Sequence, residues 1–235
     1  MSTSSFVNTL SGRLILFGVL PSMLALGAVV ATSAIESYRD LQREEVRLLS
    51  KSAEDAAAEM SALNERCNNV AAVMALAQAQ GLFGHRKASS EFAKAVATTV
   101  PRLLGAYVIY EPNADGQDAA SLKGNELPRE AFDPAGRFVP YWYFDSGSGA
   151  DVGQIRLKPN TDMETLEYYL GPKRGFEETH QAATTLTEPY LYEGVLMVSH
   201  THPIVMQGRF VGITGVDRAL DTLSQNAASI KARLG

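Results

Sequence analysis

The chain has 235 residues, 46% of them hydrophobic and 20% charged, with a formal net charge of −5 at pH 7. That composition is globular and too apolar for a disordered protein, and its acidic balance leaves no basic stripe to neutralise phosphates, which excludes nucleic acid as partner. A single cysteine, Cys67, excludes an intrachain disulfide framework and any multi-cysteine zinc site.

Residues 1–13 read as a cytoplasmic N-terminus. From Leu14 to Ile35 the chain runs "LILFGVLPSMLALGAVVATSAI" without a charge. A bilayer core needs about 20 apolar residues of helix, whereas a signal peptide has an apolar centre of about 7–15, so the length favours an uncleaved transmembrane anchor. Pro21 is tolerated in such a span. Arg13 on the N-terminal flank, against mixed charges on the other, orients the following residues outside the cytoplasm.

Residues 36–80 predict one long helix. Val46, Leu49, Ala53, Ala56, Met60, Leu63, Cys67, Val70, Met74 and Ala77 keep a 3-4 spacing with polar residues between them. Such a coiled-coil-like seam serves either a partner helix, in a homodimer through 46–77, or packing on the chain's own domain. A symmetric dimer would bring the two Cys67 thiols together.

Residues 81–220 predict an α+β module. A short helical pattern ends at "TTVP", and strands follow at "GAYVIY" (105–110), "RFVPYWYFD" (137–145), "GQIRLK" (153–158), "VLMVSHTHPIVM" (195–206) and "RFVGITGVD" (209–217). Pro140 suits a bulge or edge position, and Gln207-Gly208 reads as a hairpin turn. Residues 221–235 return to a helical pattern. With no parallel crossover, this gives an antiparallel sheet with helices on one side.

Catalytic signatures are missing. No nucleophile elbow, phosphate-binding loop or dinucleotide fingerprint occurs, and "SGSG" (146–149) is a plain turn. His200 and His202 share a strand face but lack an identifiable third ligand. No enzyme activity, metal or cofactor is expected. What stands out is aromatic: Tyr110, Tyr141, Trp142, Tyr143, Tyr168, Tyr169, Tyr190 and Tyr192 cluster near strand ends or the connecting loop. They serve either as core or as pocket wall, and alternation sends Trp142 to one face and Tyr141 and Tyr143 to the other.

The segments "GRFVPYWYF", "EYYLGPKR", "TEPYLYEGVLMVSHTHPI" and "GRFVGITGVDRALDTL", in this order, resemble double Cache sensor domains, the extracytoplasmic regions of bacterial chemoreceptors, sensor kinases and diguanylate cyclases. The resemblance covers 36–235. It implies a long helix followed by PAS-like modules, with ligand in the membrane-distal one. Trp142 and Tyr143 match the family's Trp-Tyr, while Tyr190 and Asp217 match the Tyr and Asp that hold a ligand ammonium. Pro140 stands where amino-acid receptors carry a carboxylate-binding Arg, leaving Arg137, Lys173 or Arg174 to substitute.

The expected ligand site is Tyr110, Arg137, Trp142, Tyr143, Tyr190 and Asp217. It would bind a small polar metabolite, an amine or amino acid, in a single-pass sensor of the bacterial inner membrane facing the periplasm. The rivals are a ligand-independent subunit pairing with a full-length receptor and, further off, an anchored metal protein or hydrolase. The resemblance also implies a membrane-proximal module from about "SIKARLG" onward, so the chain is expected to be either a receptor fragment or a one-module sensor.

Overall fold

The computed structural model describes residues 9–124, 126–145, 154–161, 163–192 and 194–220. Two compact units emerge, Met1–Ser61 and Ala62–Gly235. The first is helical. α1 (Leu10–Leu14) passes through a π-helical turn, Ile15–Val19, into α2 (Leu20–Ala77). In this unit Phe17, Val19, Leu24, Val29 and Val30 are exposed. The helix is long and apolar enough to cross a membrane.

The second unit holds the end of α2, which stops at a π-helical turn where Gly81 takes a φ of 131°. Then come α3 (Arg86–Thr99), β1 (Gly105–Tyr110), α4 (Asp118–Ser121), β2 (Pro140–Phe144), β3 (Ile155–Pro159), α5 (Glu167–Thr179), β4 (Thr185–Leu186), β5 (Tyr190–Tyr192), β6 (Val195–Met206) and β7 (Arg209–Ala219). The strands form one antiparallel sheet in the order β3-β2-β1-β7-β6-β4, with β5 also pairing to β6. Gln207 and Gly208 join β6 to β7 with φ of 52° and 75°, as a two-residue hairpin loop requires.

Two expectations change. Pro140 is neither bulged nor on an edge: it opens an inner strand, the one place where its missing N–H spares the ladder. Helices cover both faces, because "EYYLGPKRGFEET" forms α5 despite Gly171 and Pro172. The short strands β4 and β5 carry too few residues for a two-residue period to show. The expected helix after residue 220 and the "SGSG" turn lie outside the described residues.

One face packs on α3 and on the end of α2. Ala106, Val108 and Tyr110 of β1 meet Val216 of β7 together with Cys67, Met74, Ala75, Ala93 and Ala97. Three bonds tie α2 to the sheet: His200 Nδ1 to Asn68 Oδ1 at 2.7 Å, Thr214 Oγ1 donating to the Ala71 carbonyl at 2.8 Å, and Arg218 Nη2 donating to Asn64 Oδ1 at 2.8 Å. Buried Arg86 bridges Asp115 at 2.6 Å and Asp118 at 2.5 Å, pinning the loop after β1 to α3. His200 and His202 do share a face, but His202 Nδ1 lies 2.9 Å from Thr184 Oγ1, and no metal-ligating cluster occurs among the described residues.

The helical seam therefore divides. Cys67, Ala71 and Met74 are buried within their own unit, whereas Val46 and Leu49 are exposed. Cys67 is 3% exposed, packed in the core of its own unit, and burial raises its thiol pKa. Native Cys67 is expected to react with an aromatic disulfide reagent at least about tenfold more slowly than in denaturant; equal rates would contradict this burial.

Candidate functional site

Strand register assembles the opposite face. Directly paired residues share a face, so Arg156, Tyr143, Gly105, Asp217 and Ser199 form one row across five strands. The next row is Lys158, Tyr141, Tyr107, Gly215 and Thr201. Two glycines make room for the rings. A Cβ at Gly215 would lie 2.3 Å from the Tyr107 ring, and one at Gly105 would lie 2.5 Å from the Tyr141 ring. Tyr107 meets Tyr141 and Tyr168 edge-on, each at 5.7 Å between centroids, and Tyr141 stacks on Tyr143 at 5.4 Å.

Asp217 lies at the centre, 4% exposed. Ser199 Oγ donates to its Oδ1 at 2.5 Å, and Tyr190 Oη lies 2.7 Å from the same Ser199 oxygen. Desolvation raises the Asp217 pKa to about 6, while hydrogen bonds from Ser199 and Tyr141 and the charge of Lys158 oppose the rise. Burial likewise pushes the Tyr107 and Tyr141 hydroxyls well above their usual range.

Tyr107, Tyr141, Asn160, Tyr168, Tyr190, Tyr192 and Asp217 enclose a cavity of about 10 Å³ measured at water centres, room for about one water. The Tyr107 hydroxyl and the Asn160 amide nitrogen are buried in its wall without a hydrogen-bond partner by distance and angle among the described residues, although Ser199 is near enough to Tyr107 to affect its titration. Tyr168 and Tyr190 separate this cavity from a wider hollow of about 470 Å³ between the start of α5 and residues 185–190. Another cleft, about 530 Å³ at the start of α3, is built around Arg86, whose donors are taken by Asp115, Asp118, Ser121 and the Gly136 carbonyl.

Of the six residues expected to form the site, the structure brings Tyr190 and Asp217 to the cavity and Tyr143 beside it. The other three lie elsewhere. Trp142 points to the α3 face by strand alternation, its indole N–H donating to Ser90 Oγ at 3.0 Å and Lys94 lying 4.7 Å over its ring. Tyr110 is on that same face, with its hydroxyl donating to Gln78 Oε1 at 2.7 Å. Arg137 donates to the Tyr110 carbonyl, to Tyr169 and to Glu164. Tyr110 pairs with Gly212, five residues from where Gly105 pairs with Asp217, a separation of roughly 17 Å along the strand.

The alternative cations are engaged as well: Lys173 bonds Glu111 at 2.9 Å and Arg174 bonds Glu167 at 2.8 Å. The expected site lacked Tyr107, Tyr141, Asn160, Ser199 and Lys158. Period-two counting from Tyr143 finds Tyr141; the others require the pairing partners of each strand.

A family model described as "Methyl-accepting chemotaxis protein-like, first PDC sensor domain" matches residues 90–225, more than half of the chain. The chain belongs to this family. Its PDC sensor domain contains every cavity residue, and the Cache resemblance read from four sequence segments is borne out.

Methyl-accepting chemotaxis protein TlpQ of Pseudomonas aeruginosa is 27% identical over 134 residues, 52% of this chain and 18% of that protein. The solved extracellular domain mmHK1S-Z3, ascribed to a histidine kinase, is 32% identical, with a TM-score of 0.60 over 71% of this chain and 56% of that one. Methyl-accepting chemotaxis protein X shares the fold, with a TM-score of 0.61 at 23% identity over 75% of this chain and 62% of that one. The chain thus spans a minor part of its curated relative and about half of the solved histidine-kinase domain. It carries a chemoreceptor-like sensor domain.

The raised pKa of Asp217 sets the sign of a pH effect. The folded state holds the proton more tightly than the unfolded chain, whose value is 3.8, so stability declines as pH rises from about 4 to about 6. Asp217→Asn removes that decline. The variant is expected to be more stable than the parent at pH 8, by up to about 3 kcal/mol, and to converge toward it near pH 4. Denaturant melts at the two pH values check this.

Proposed function

We propose that this chain is the membrane-anchored, ligand-binding end of a chemoreceptor-type receptor, and that Asp217 receives the ammonium group of a small amine or amino acid. The observation that carries the reading is a buried carboxylate ringed by tyrosines, with Tyr190 and Ser199 in line behind it. A cation gains about 0.5–2 kcal/mol over such rings, and a buried carboxylate makes the stronger, charge-assisted bond. The hollow outside Tyr168 and Tyr190 supports entry from that side. With Arg137, Lys173 and Arg174 bound to other partners, an amine suits the cavity better than a carboxylate-bearing ligand.

In this reading residues 1–13 are cytoplasmic, 14–35 cross the inner membrane and 81–220 sense ligand in the periplasm. The exposed residues of 46–60 pair with a second copy. Output would follow from β7, since Asp217 faces the cavity while its neighbour Arg218 bonds Asn64 of α2. A ligand drawn to one face of the strand therefore bears on the helix at the other.

The full chain in detergent is expected to gain several degrees in Tm, or about 1 kcal/mol and more, with one class of ammonium compound among amines, amino acids and organic acids. Asp217→Ala abolishes that gain. Binding weakens about tenfold for each pH unit below 6, as Asp217 takes up its proton. A folded sample that ignores the whole panel would favour the ligand-independent subunit, and pH-independent binding would remove Asp217 from the contact.

A further inference from the structure

The aromatic cage beside Asp217 already holds a cation. Lys158 Nζ lies 4.4 Å from the Tyr192 ring centroid, 4.6 Å from Tyr143 and 5.5 Å from Tyr141. Tyr141 and Tyr192 are also walls of the Asp217 cavity. Lys158 and the rings span the sheet: Lys158 stands on edge strand β3 directly across from Tyr141 of the inner strand β2, which also carries Tyr143, whereas Tyr192 belongs to β5, which pairs beyond β6. The lysine stem thus joins the two edges over the face that carries Asp217. Lys158 is also the cation whose charge acts on Asp217.

We propose that Lys158 is the resident cation of the Asp217 site, holding the tyrosine cage shut in the free protein and yielding it to the ammonium group of an incoming ligand. The inference rests on the reading of Asp217 as an ammonium site, and deepens it into a selection rule. The closed cavity has room for about one water, so a ligand enters only if the walls part. The contact that joins β3 to β5 is a cation over tyrosine faces, and its loss is offset only by a molecule that brings its own cation to the same rings. A neutral or anionic molecule would have to expel Lys158 with nothing to replace it beside a buried carboxylate. Lys158 thereby sets the ligand class and lowers the affinity for every member of it, as an internal competitor does.

The test compares the full chain in detergent with Lys158→Met and Lys158→Gln, both of which remove the charge and keep an unbranched stem. The probes are ethylammonium and alanine, followed by isothermal titration. Separately, the Asp217 carboxyl is titrated without ligand by carbon-13 NMR. Ethylammonium is expected to bind both variants several-fold to about tenfold more tightly than the parent, and Asp217 to titrate at higher pH in both.

Unchanged or weaker ethylammonium binding in the variants overturns the proposal, as does an unmoved Asp217 titration. Loss of alanine binding with ethylammonium unaffected would make Lys158 a carboxylate receptor and also overturns it. Failure of ethylammonium with all three proteins sinks the ammonium reading of Asp217, and the exchange with it. A shifted titration in that case still supports Lys158 as the counter-ion, so the two failures are told apart.

Discussion

A carboxylate removed from water is the constraint around which this sensor domain is organised. Asp217 is buried within a five-strand row, where desolvation opposes its charge and a serine hydroxyl, a tyrosine hydroxyl and a lysine partly restore what water would have given. Such a group is poised. Its ionised form is tolerated only while partners are close, and Ser199, Tyr141 and Lys158 are those partners in this structure. The surrounding tyrosines fit the same demand, presenting ring faces to a cation and hydroxyls to polar atoms.

Backbone geometry makes the arrangement possible. Gly105 and Gly215 sit where any side chain would collide with Tyr141 or Tyr107, so the rings lie down on the sheet instead of standing off it. Both glycines pair across the β1–β7 ladder with residues of the site rows, Gly105 with Asp217 and Gly215 with Tyr107. The inner strands thereby give up side-chain packing at two positions to gain a wall of aromatic surface. On the reverse face the same strands are densely packed, with Ala106, Val108 and Val216 against Met74 and Cys67. β7 is held from both sides, by the Asp217 cluster and by the bonds from Thr214 and Arg218 to α2.

The aromatic segment "PYWYF" shows how local and tertiary information divide. Alternation alone separates Trp142 from Tyr141 and Tyr143, and that separation is found. Which face holds the Asp217 cavity is a different matter, because both faces are lined by aromatics and both are covered by helices. Trp142 was an attractive candidate by residue type, yet its indole serves the packing of α3. Arg137 was attractive by charge, yet Glu164 and Tyr169 hold it at the far end of β1.

The sequence by itself determined the parts that depend on short-range pattern. The apolar run of 14–35, the long helix, the β6–β7 hairpin with its Gln-Gly turn and the strand at "GAYVIY" follow from length, periodicity and turn chemistry. Tyr190 and Asp217 were legible through four segments in a familiar order. Only the tertiary structure decided which half of the helical seam is buried, that a helix covers the second face, and that Lys158, Tyr141, Tyr107, Ser199 and Asp217 converge. The physical reason is register. These residues lie on five strands separated in sequence by loops of unequal length, and a one-residue slip in any pairing would have turned a different set toward the cavity.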